Sequence, residues 1–307
     1  MKSRLVWILL CGIWGSTWLF IKLGLADLPP FTFAGIRFLI ASAILIAIIA
    51  MRRIRFPRRA RDWLLLAITG VIAFTFNYGL LFWGEQYISS GLAALLQSTT
   101  PAFGLVLAHL YLPGERITLA KVIGVLMGVV GVGVIFSNQL TVAGSRALAG
   151  SAALVLSAVC VAYSNVLVKA YCRDIDSSII ATGQILIGFA PLLVIGVSFE
   201  GNPLKFHWTP MALVALFYLA IVGSVIAFLF YYWLLHHMDV TKTMLIALVT
   251  PVVAVTLGML VLHEQMNWRT LAGGALIISG ISLIVLRRTG KQAVDEAVDE
   301  VELVTGS

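Results

Sequence analysis

Residues 5–25 read LVWILLCGIWGSTWLFIKLGL, an apolar stretch whose one charged side chain is Lys22. A helix of about 20 mainly apolar residues is long enough to cross the hydrocarbon core of a bilayer. The stretch is too long for the apolar region of a cleavable signal peptide, and further apolar stretches follow it. We therefore interpret it as the first transmembrane helix.

The composition of the whole chain agrees with this interpretation. Of its 307 residues, 60% are hydrophobic and 11% are charged, whereas a soluble domain carries about 25% charged residues. The 14 acidic and 21 basic side chains are too few to cover a water-soluble fold of this size. The three cysteines are scattered and have neither a disulfide pattern nor metal-ligand spacing.

Nine further windows are continuously apolar, which argues against the alternating pattern of a transmembrane β-barrel. The sequence therefore predicts an all-α membrane protein with ten transmembrane helices. The predicted spans are 5–25, 30–51, 63–83, 89–112, 119–136, 148–169, 177–199, 209–235, 243–262 and 270–286.

Basic residues are concentrated in the loops on one side of the predicted helices, above all in the arginine run at 52–61. The loops on the other side contain only Arg146, Lys205 and Arg269. Cytoplasmic loops carry the excess of Lys and Arg, so we predict a multi-pass protein of the cell inner membrane with both termini in the cytoplasm. We interpret the arginine run as a determinant of topology and expect no nucleic-acid partner.

The second half of the chain repeats the pattern of the first. The segment GERITLAKVIGVLMGVVG at 114–131 aligns with HEQMNWRTLAGGALIISG at 263–280, and Pro101 aligns with Pro251. Each half holds five predicted helices, and because five is odd, the second half enters the membrane inverted. Inverted repeats are typical of secondary carriers, whose substrate site lies near the midplane between the halves. The matches divide the chain into a first repeat at 1–137, a second repeat at 148–288 and an acidic cytoplasmic tail at 289–307.

These features resemble the drug/metabolite transporter superfamily, and within it the EamA-type exporters. The resemblance rests on WGSTWLFIKLGL at 14–25, on Pro30 followed by Arg37, on the mid-helix prolines and on the glycine-rich helix that closes each repeat. It covers residues 1–288, with one departure, since His263 stands where the first repeat has a glycine before its glutamate. The resemblance implies an exporter of small metabolites such as amino acids.

Two basic residues lie about one turn or more inside predicted spans, where a charge is costly unless it is solvated or paired. Lys22 lies about one turn from the outer end of helix 1, and Arg37 about two turns inside helix 2. Together they can form a positive vestibule for a substrate that bears a carboxylate. Alternatively, Lys22 extends to the interface, while Arg37 caps backbone carbonyls or pairs with Asp27 or Glu85.

Pro101 and Pro251 each remove the amide hydrogen bond to the residue four positions earlier. A carbonyl freed in this way within a bilayer must face a polar cavity or find another partner. Pro101 follows the polar run QSTT at 97–100, whereas only Thr250 is polar beside Pro251. The sequence predicts broken helices that line a central cavity; the alternative is a kink held by serine and threonine.

Aromatic and amide side chains complete the predicted pocket. Helix 1 carries a stripe of tryptophans and Lys22 at four-residue spacing, which places them on one face. A mid-span asparagine either lines a pocket or links neighbouring helices. The predicted substrate-binding residues are Trp14, Thr17, Trp18, Lys22, Arg37, Asn77, Tyr78, Gln97, Ser98, Pro101, Tyr163, Asn165, Tyr232, Thr250 and Pro251.

The leading interpretation is a secondary carrier that moves a small-molecule substrate by alternating access within the lipid bilayer. A membrane-embedded enzyme or a scaffold is the alternative, but the sequence shows no metal-ligand spacing, P-loop or nucleophile elbow, so we expect no metal, cofactor or catalysis. The acids fall in loops, at span ends or in the tail, which predicts facilitated diffusion or exchange. Glu85 is the acid that a longer helix would bury.

Overall fold

The structure is a computed structural model that describes residues 2–111, 119–138, 144–172, 174–237 and 246–283. Within these ranges the chain is helical and contains no strand; the predicted tail at 289–307 lies outside them. The ten helices have the following bounds: Lys2–Gly24 (α1) and Pro30–Met51 (α2), Ala60–Glu85 (α3) and Ser90–Tyr111 (α4), Leu119–Asn138 (α5), Gly144–Tyr171 (α6), Ser177–Phe199 (α7), Pro210–Phe217 continued by Tyr218–Ile226 and Ala227–His237 (α8), Ile246–Val261 (α9) and Trp268–Leu283 (α10).

Seven of these helices are long and apolar enough to cross a membrane, and the other three, α5, α9 and α10, contain shorter apolar segments. The prediction of an all-α membrane protein with ten transmembrane helices is confirmed. Helix α3 extends beyond the predicted window of 63–83 at both ends. Its last residue is Glu85, which therefore belongs to the span and not to the following loop.

The second half of the fold is inverted relative to the first. Helix α1 ends beside the end of α3, because the amine of Lys22 donates hydrogen bonds to the carbonyls of Glu85 and Ile88 at 2.7 and 2.6 Å. Helix α6, the counterpart of α1, begins at this same end, where a Cβ atom on Gly84 would lie 2.7 Å from the carbonyl oxygen of Gly150. We call this side of the molecule the Lys22 end: α1, α3, α7 and α9 end there, and α2, α4, α8 and α10 begin there.

The two halves meet along α2 and α7, the second helix of each half. A Cβ atom on Gly35 would lie 2.7 Å from the side chain of Leu193, and one on Gly196 would lie 2.8 Å from the amide nitrogen of Thr32. Small residues at such crossings let helices approach closely within a bilayer. The fully buried ring of Phe38 belongs to the hydrophobic core that surrounds this contact.

The third helix of each half contains a π-helical segment, Val71–Phe76 in α3 and the central part of α8. Such segments are rare and often occur at functional sites. Each one forms a hydrogen bond with the opposite half. The hydroxyl of Thr75 in α3 donates to the carbonyl of Gly188 in α7 at 2.8 Å, and Ser224 in α8 accepts from Nε of Arg37 in α2 at 3.2 Å.

The two mid-helix prolines have different effects. Helix α4 is interrupted at 98–99, just before Pro101, as predicted. Helix α9 runs through Pro251 without interruption, so the predicted break there is wrong. Close packing against α1 supports this part of α9, since a Cβ atom on Gly15 would lie 2.5 Å from the side chain of Val253.

Candidate functional site

A cluster of amide and hydroxyl side chains joins α3 and α4 of the first half to α6 of the second. Oδ1 of Asn77 accepts from Nε2 of Gln97 at 3.3 Å and from the hydroxyl of Ser157 at 2.7 Å. The same hydroxyl lies 3.0 Å from Oε1 of Gln97. Asn77 and Ser157 are buried and Gln97 is partly exposed. The structure thus brings the predicted residues Asn77 and Gln97 together, and it adds Ser157, whose only signal in the sequence is a hydroxyl within an apolar run.

The backbone at the interruption of α4 is satisfied by local side chains. The hydroxyls of Ser98, Thr99 and Thr100 each donate to the carbonyl three residues earlier, at 2.7, 2.6 and 2.7 Å. Thr100 binds the carbonyl of Gln97, which is the carbonyl that Pro101 deprives of its amide partner. Serine and threonine therefore hold this kink, so the predicted cavity does not arise from a freed carbonyl.

Arg37 is a buried cation between the two halves. Its side chain is 2% exposed, and Nε is the atom that binds the hydroxyl of Ser224 at 3.2 Å. Nη1 has no hydrogen-bond partner among the described residues. The guanidinium carbon lies 4.9 Å from the ring centroid of Phe38, 5.4 Å from that of Tyr78 and 5.8 Å from that of Phe82. The surrounding rings stabilise the charge and leave one donor group for a ligand.

Thr17 of α1 lies beside Arg37. A Cβ atom on Gly223 of α8 would lie 2.9 Å from the methyl group of Thr17 and 3.7 Å from Nη2 of Arg37. Thr17, Arg37 and Tyr78 were predicted from three different helices, and the π-helical segment of α8 brings them to one place. This group, in which Thr17 and Arg37 are buried and Tyr78 is partly buried, is the central part of the candidate site.

Lys22 takes a role that neither sequence interpretation anticipated. Its amine donates to the backbone carbonyls of Glu85, Gln86 and Ile88 at 2.7, 3.3 and 2.6 Å. These carbonyls terminate α3, where a cation is favoured by the helix dipole. Lys22 therefore caps the end of α3 and does not line an open vestibule in this structure.

Glu85 is a buried acid inside the helical bundle. Its side chain is fully buried, and neither carboxylate oxygen has a hydrogen-bond partner in the part of the chain that the structure describes. The charges that act on it are those of Lys22, Glu264 and Arg37. Glu85 is buried because α3 is longer than the predicted window, and the end of α3 packs against Gly150 of α6 and Lys22 of α1.

Two glutamates of the second half bind helix N-termini of the first half at the Lys22 end. Glu200 accepts from the amides of Phe31 and Thr32 at 2.8 and 2.7 Å, at the beginning of α2. Glu264 accepts from the amides of Ser90 at 2.8 Å and Gly91 at 3.3 Å, at the beginning of α4. Carboxylates are favoured at helix N-termini, where amides lack intrahelical partners. These contacts hold the two halves together at this end.

A third carboxylate contact lies at the Lys22 end, outside the helices. Asp27 accepts from the hydroxyl of Thr209 at 2.6 Å and lies 3.3 Å from Nδ1 of His207. The hydrogen bond from Thr209 holds the pKa of Asp27 below its usual range, and His207 acts in the same direction. Asp27 thus binds Thr209 and His207 and does not pair with Arg37.

The tryptophan stripe of α1 contacts two different clusters. The ring of Trp14 lies 6.3 Å from that of Phe228 and 5.3 Å from that of Tyr231, both on α8. Trp18 packs instead against the main hydrophobic core. The two tryptophans share a helix face as predicted, but only Trp14 lies in this aromatic group of α8.

Several other predicted residues lie apart from the central group. The hydroxyl of Tyr163 lies 3.4 Å from that of Tyr111, and Asn165 is exposed. The prediction that Asn165 converges with Asn77 is wrong, because the neighbouring Ser164 takes the inward position and donates to the carbonyl of Thr69 at 2.9 Å. The remaining positions are as follows: Thr250 is partly buried and Pro251 buried on α9, and the side chain of Tyr232 lies outside those described.

An opening faces the end of the molecule opposite to the Lys22 end. It lies between α2, α7 and α8 and is lined by Ile48, Arg52, Ser178, Thr182 and Phe228, among others. Phe228 also contacts Trp14, so the opening extends toward the aromatic group on α1 and α8. Carboxylate contacts thus join the two halves at the Lys22 end, and a small pocket lies at the other end.

Two inverted halves that meet around buried polar and charged side chains define a multi-pass membrane transporter, and the comparisons agree. The EamA-like transporter family matches residues 2–137 and again residues 148–286, and the chain belongs to this family. It is a transporter and not an enzyme.

Individual relatives extend along most of the chain. The uncharacterized transporter YoaV of Bacillus subtilis (strain 168) is 28% identical over 269 residues, which cover 88% of this chain and 91% of YoaV. The uncharacterized inner membrane transporter YedA of Escherichia coli (strain K12) is 28% identical over 247 residues, which cover 80% of this chain and 78% of YedA. A crystal structure of a protein superposes with a TM-score of 0.66 at 21% identity, covering 94% of this chain and 98% of its own, and so shares the fold.

Proposed function

We propose that this transporter exports small metabolites that bear a carboxylate, such as amino acids, by alternating access between its two halves. The proposal includes location in the inner membrane with both termini in the cytoplasm, so that the Lys22 end faces outward. It also treats residues 1–137 and 148–288 as the two moving repeats.

The buried guanidinium of Arg37 is the observation that carries this proposal. A charge within the membrane is costly and is retained where it binds a substrate or a partner. Arg37 has no carboxylate within salt-bridge distance among the described residues, and its Nη1 is without a hydrogen bond there. A guanidinium binds carboxylates more strongly than neutral acceptors, so a substrate carboxylate is the ligand that best completes this site.

The position of Arg37 supports transport over static binding. It lies between α2 of the first half and the π-helical segment of α8 in the second half. A ligand held there contacts both repeats, and rocking of one repeat against the other changes the side from which it is reached. Thr17, Tyr78 and the Gln97–Asn77–Ser157 cluster are further candidates for contact with the uncharged part of the substrate.

Counterflow in proteoliposomes tests the proposal. Vesicles loaded with one unlabelled compound from a panel of amino acids, amines, purines and sugars are diluted into a trace of its labelled form. We expect counterflow for carboxylate-bearing compounds and little for the corresponding decarboxylated amines. Counterflow that is equally fast with and without the carboxylate contradicts the proposal.

A matched pair of variants assigns the effect to the site. Arg37→Gln removes the buried guanidinium and is expected to lower counterflow of carboxylates by about tenfold or more, the loss of one charged hydrogen bond. Arg269→Gln removes the same charge from the start of α10, where the guanidinium lies 5.8 Å from the ring of Trp268. Arg269→Gln should retain counterflow; equal loss in both variants points to a general effect of charge.

A further inference from the structure

We propose that Glu85 binds the ammonium group of an amino acid whose carboxylate binds Arg37, and that a proton occupies Glu85 when the amino acid leaves. This inference rests on the proposed function and deepens it in two ways. It specifies the substrate as a zwitterion, and it makes the carrier an exchanger of substrate for protons. It replaces the facilitated diffusion expected from the sequence.

The Glu85 carboxylate has no hydrogen-bond partner in the part of the fold that the structure describes. Its side chain is fully buried, and both of its oxygens are without a hydrogen bond among the described residues. A buried ionised carboxylate without a partner is strongly unfavourable, so the group either takes up a proton or binds a cation. Both outcomes place a positive species on Glu85.

The charged side chains near Glu85 form their hydrogen bonds with other groups. The charged groups that face Glu85 are Lys22 of α1, Arg37 of α2 and Glu264 after α9. The amine of Lys22 has three N–H groups, and it donates to three backbone carbonyls. Glu264 is an acceptor that binds the N-terminus of α4, and Nε of Arg37 binds Ser224. Each neighbour interacts with Glu85 through space, but none donates a hydrogen bond to it.

Arg37 and Glu85 both have atoms that lack hydrogen-bond partners among the described residues, and one ligand can bind to both. Arg37 offers an unused donor, and Glu85 offers two unused acceptors. The guanidinium carbon of Arg37 lies 5.8 Å from the ring centroid of Phe82, which is one turn before Glu85 on α3. The two groups are not hydrogen-bonded to each other. An α-amino acid carries a carboxylate and an ammonium group on one carbon. It can therefore complete both sites at once, as neither a simple amine nor a simple acid can.

The proton and the substrate ammonium group compete for Glu85, and proton exchange follows from this competition. With the site open to the cytoplasm, the substrate ammonium binds, and the proton of the Glu85 carboxylic acid passes to cytoplasmic water. With the site open to the other side, a proton from outside neutralises Glu85 and the amino acid leaves. No covalent bond of the substrate changes. One zwitterion moves out for each proton that moves in, so an acidic exterior and an inside-negative potential both drive export.

The test is substrate movement against an imposed pH gradient in proteoliposomes. A difference of one pH unit corresponds to a factor of about ten in a one-for-one exchange. We expect a neutral amino acid to accumulate on the acidic side by up to this factor and to move protons in the opposite direction, as read by a pH-sensitive dye. If the protein shows counterflow but the imposed pH gradient drives no accumulation, this inference is wrong and the proposed function is unaffected. Absence of carboxylate counterflow overturns the proposed function itself.

Variants and a modified substrate separate the role of Glu85 from a structural one. Glu85→Gln should lose the pH-driven accumulation, whereas Asp174→Asn, an exposed acid at the opposite end, should keep it. The N-acetylated form of the same amino acid lacks the ammonium group, so the wild-type protein should move no protons with it. Proton movement with the N-acetylated compound, or pH-driven accumulation by Glu85→Gln, contradicts the proposal. The comparison of the amino acid with its N-acetylated form uses the wild-type protein, so it tests the role of the ammonium group even when Glu85→Gln does not fold.

Discussion

Glu264, which follows α9, is bound to Ser90 at the beginning of α4: the amide of Ser90 donates to Oε1 at 2.8 Å and its hydroxyl lies 3.0 Å from Oε2. One carboxylate thus joins the last part of the second half to the first half at the Lys22 end. Glu200 does the same for α2. In a carrier that works by alternating access, these contacts must break whenever the Lys22 end opens.

Glu264→Gln is therefore expected to favour the state that is open at the Lys22 end. The amide keeps one acceptor but loses the negative charge at the N-terminus of α4, a change of about 1 kcal/mol, or roughly fivefold in population. A cysteine in place of the buried Ile88 reports this opening in a background without the native cysteines. Its reaction with a membrane-impermeant thiol reagent should become faster in Glu264→Gln.

A nearby substitution serves as the control for this experiment. Gln265 is exposed beside Glu264, and Gln265→Ala should leave the labelling rate unchanged. Equal labelling of Glu264→Gln and the parent protein would show that this contact does not hold the Lys22 end closed.

Asp27 gives a prediction with a defined pH dependence. Its folded-state pKa is lowered by the hydrogen bond from Thr209, so the contact stabilises the fold above the unfolded-state pKa of about 3.9. The stabilisation is lost as the pH falls through the lower, folded-state pKa. The difference in Tm between the wild type and Asp27→Asn in detergent should be constant from about pH 5 to 8 and should shrink in stronger acid.

The same measurement on Asp174→Asn provides the baseline, because Asp174 is exposed. A Tm difference for Asp27→Asn that changes near neutral pH would show that His207, 3.3 Å away, and not Thr209 is the main partner of Asp27.

The orientation of the chain is open to a direct test. Loop charges predict that the C-terminus lies in the cytoplasm, which places the Lys22 end outside. A reporter that is active only in the periplasm should be silent when it is fused after Arg288. The same reporter inserted next to Lys205, in the loop between α7 and α8, should be active. The reverse pattern would invert the direction proposed for proton exchange.

The sequence predicted the helices and their inversion because both depend on local composition and on matches between the halves. Each span is apolar over most of its length, which is a property of consecutive residues. It also predicted that Asn77 and Gln97 meet, since polar side chains within spans turn toward one another.

The environment of Glu85 was not predictable in the same way. Hydropathy ends a span at the last apolar residues, so the acid was assigned to the edge of helix 3. Its burial depends on α6, where Gly150 packs against Gly84, and on Lys22 of α1, which are distant in sequence and meet α3 only in the fold. The direction in which Asn165 points was also not predictable from the sequence. Tyr163, Ser164 and Asn165 are consecutive, so they point in different directions on a helix, and the pattern alone did not determine that Ser164 faces inward.

Trp14→Ala is predicted to reduce transport with the protein still folded. Trp14 packs against Phe228 and Tyr231, and Phe228 lines the opening at the end opposite to the Lys22 end. Aromatic pairs contribute about 0.5–1.5 kcal/mol beyond their buried area, so a modest decrease in Tm should accompany a clear loss of counterflow. Trp268→Ala removes a side chain that is 69% exposed and should leave both quantities unchanged. Normal counterflow in Trp14→Ala would place the substrate path elsewhere.

Gln97→Leu separates a role in transport from a role in stability within the polar cluster. Gln97 is partly exposed, and its removal leaves the 2.7 Å hydrogen bond between Ser157 and Asn77 intact, so the buried groups stay paired. Ser157→Ala deletes that bond instead and leaves Asn77 with the 3.3 Å contact to Gln97, a change of about 1 kcal/mol. We expect Gln97→Leu to lower counterflow sharply at nearly unchanged Tm, and Ser157→Ala to lower Tm more than Gln97→Leu does. If Gln97→Leu unfolds the protein while Ser157→Ala transports normally, the cluster is a link between helices and not part of the substrate site.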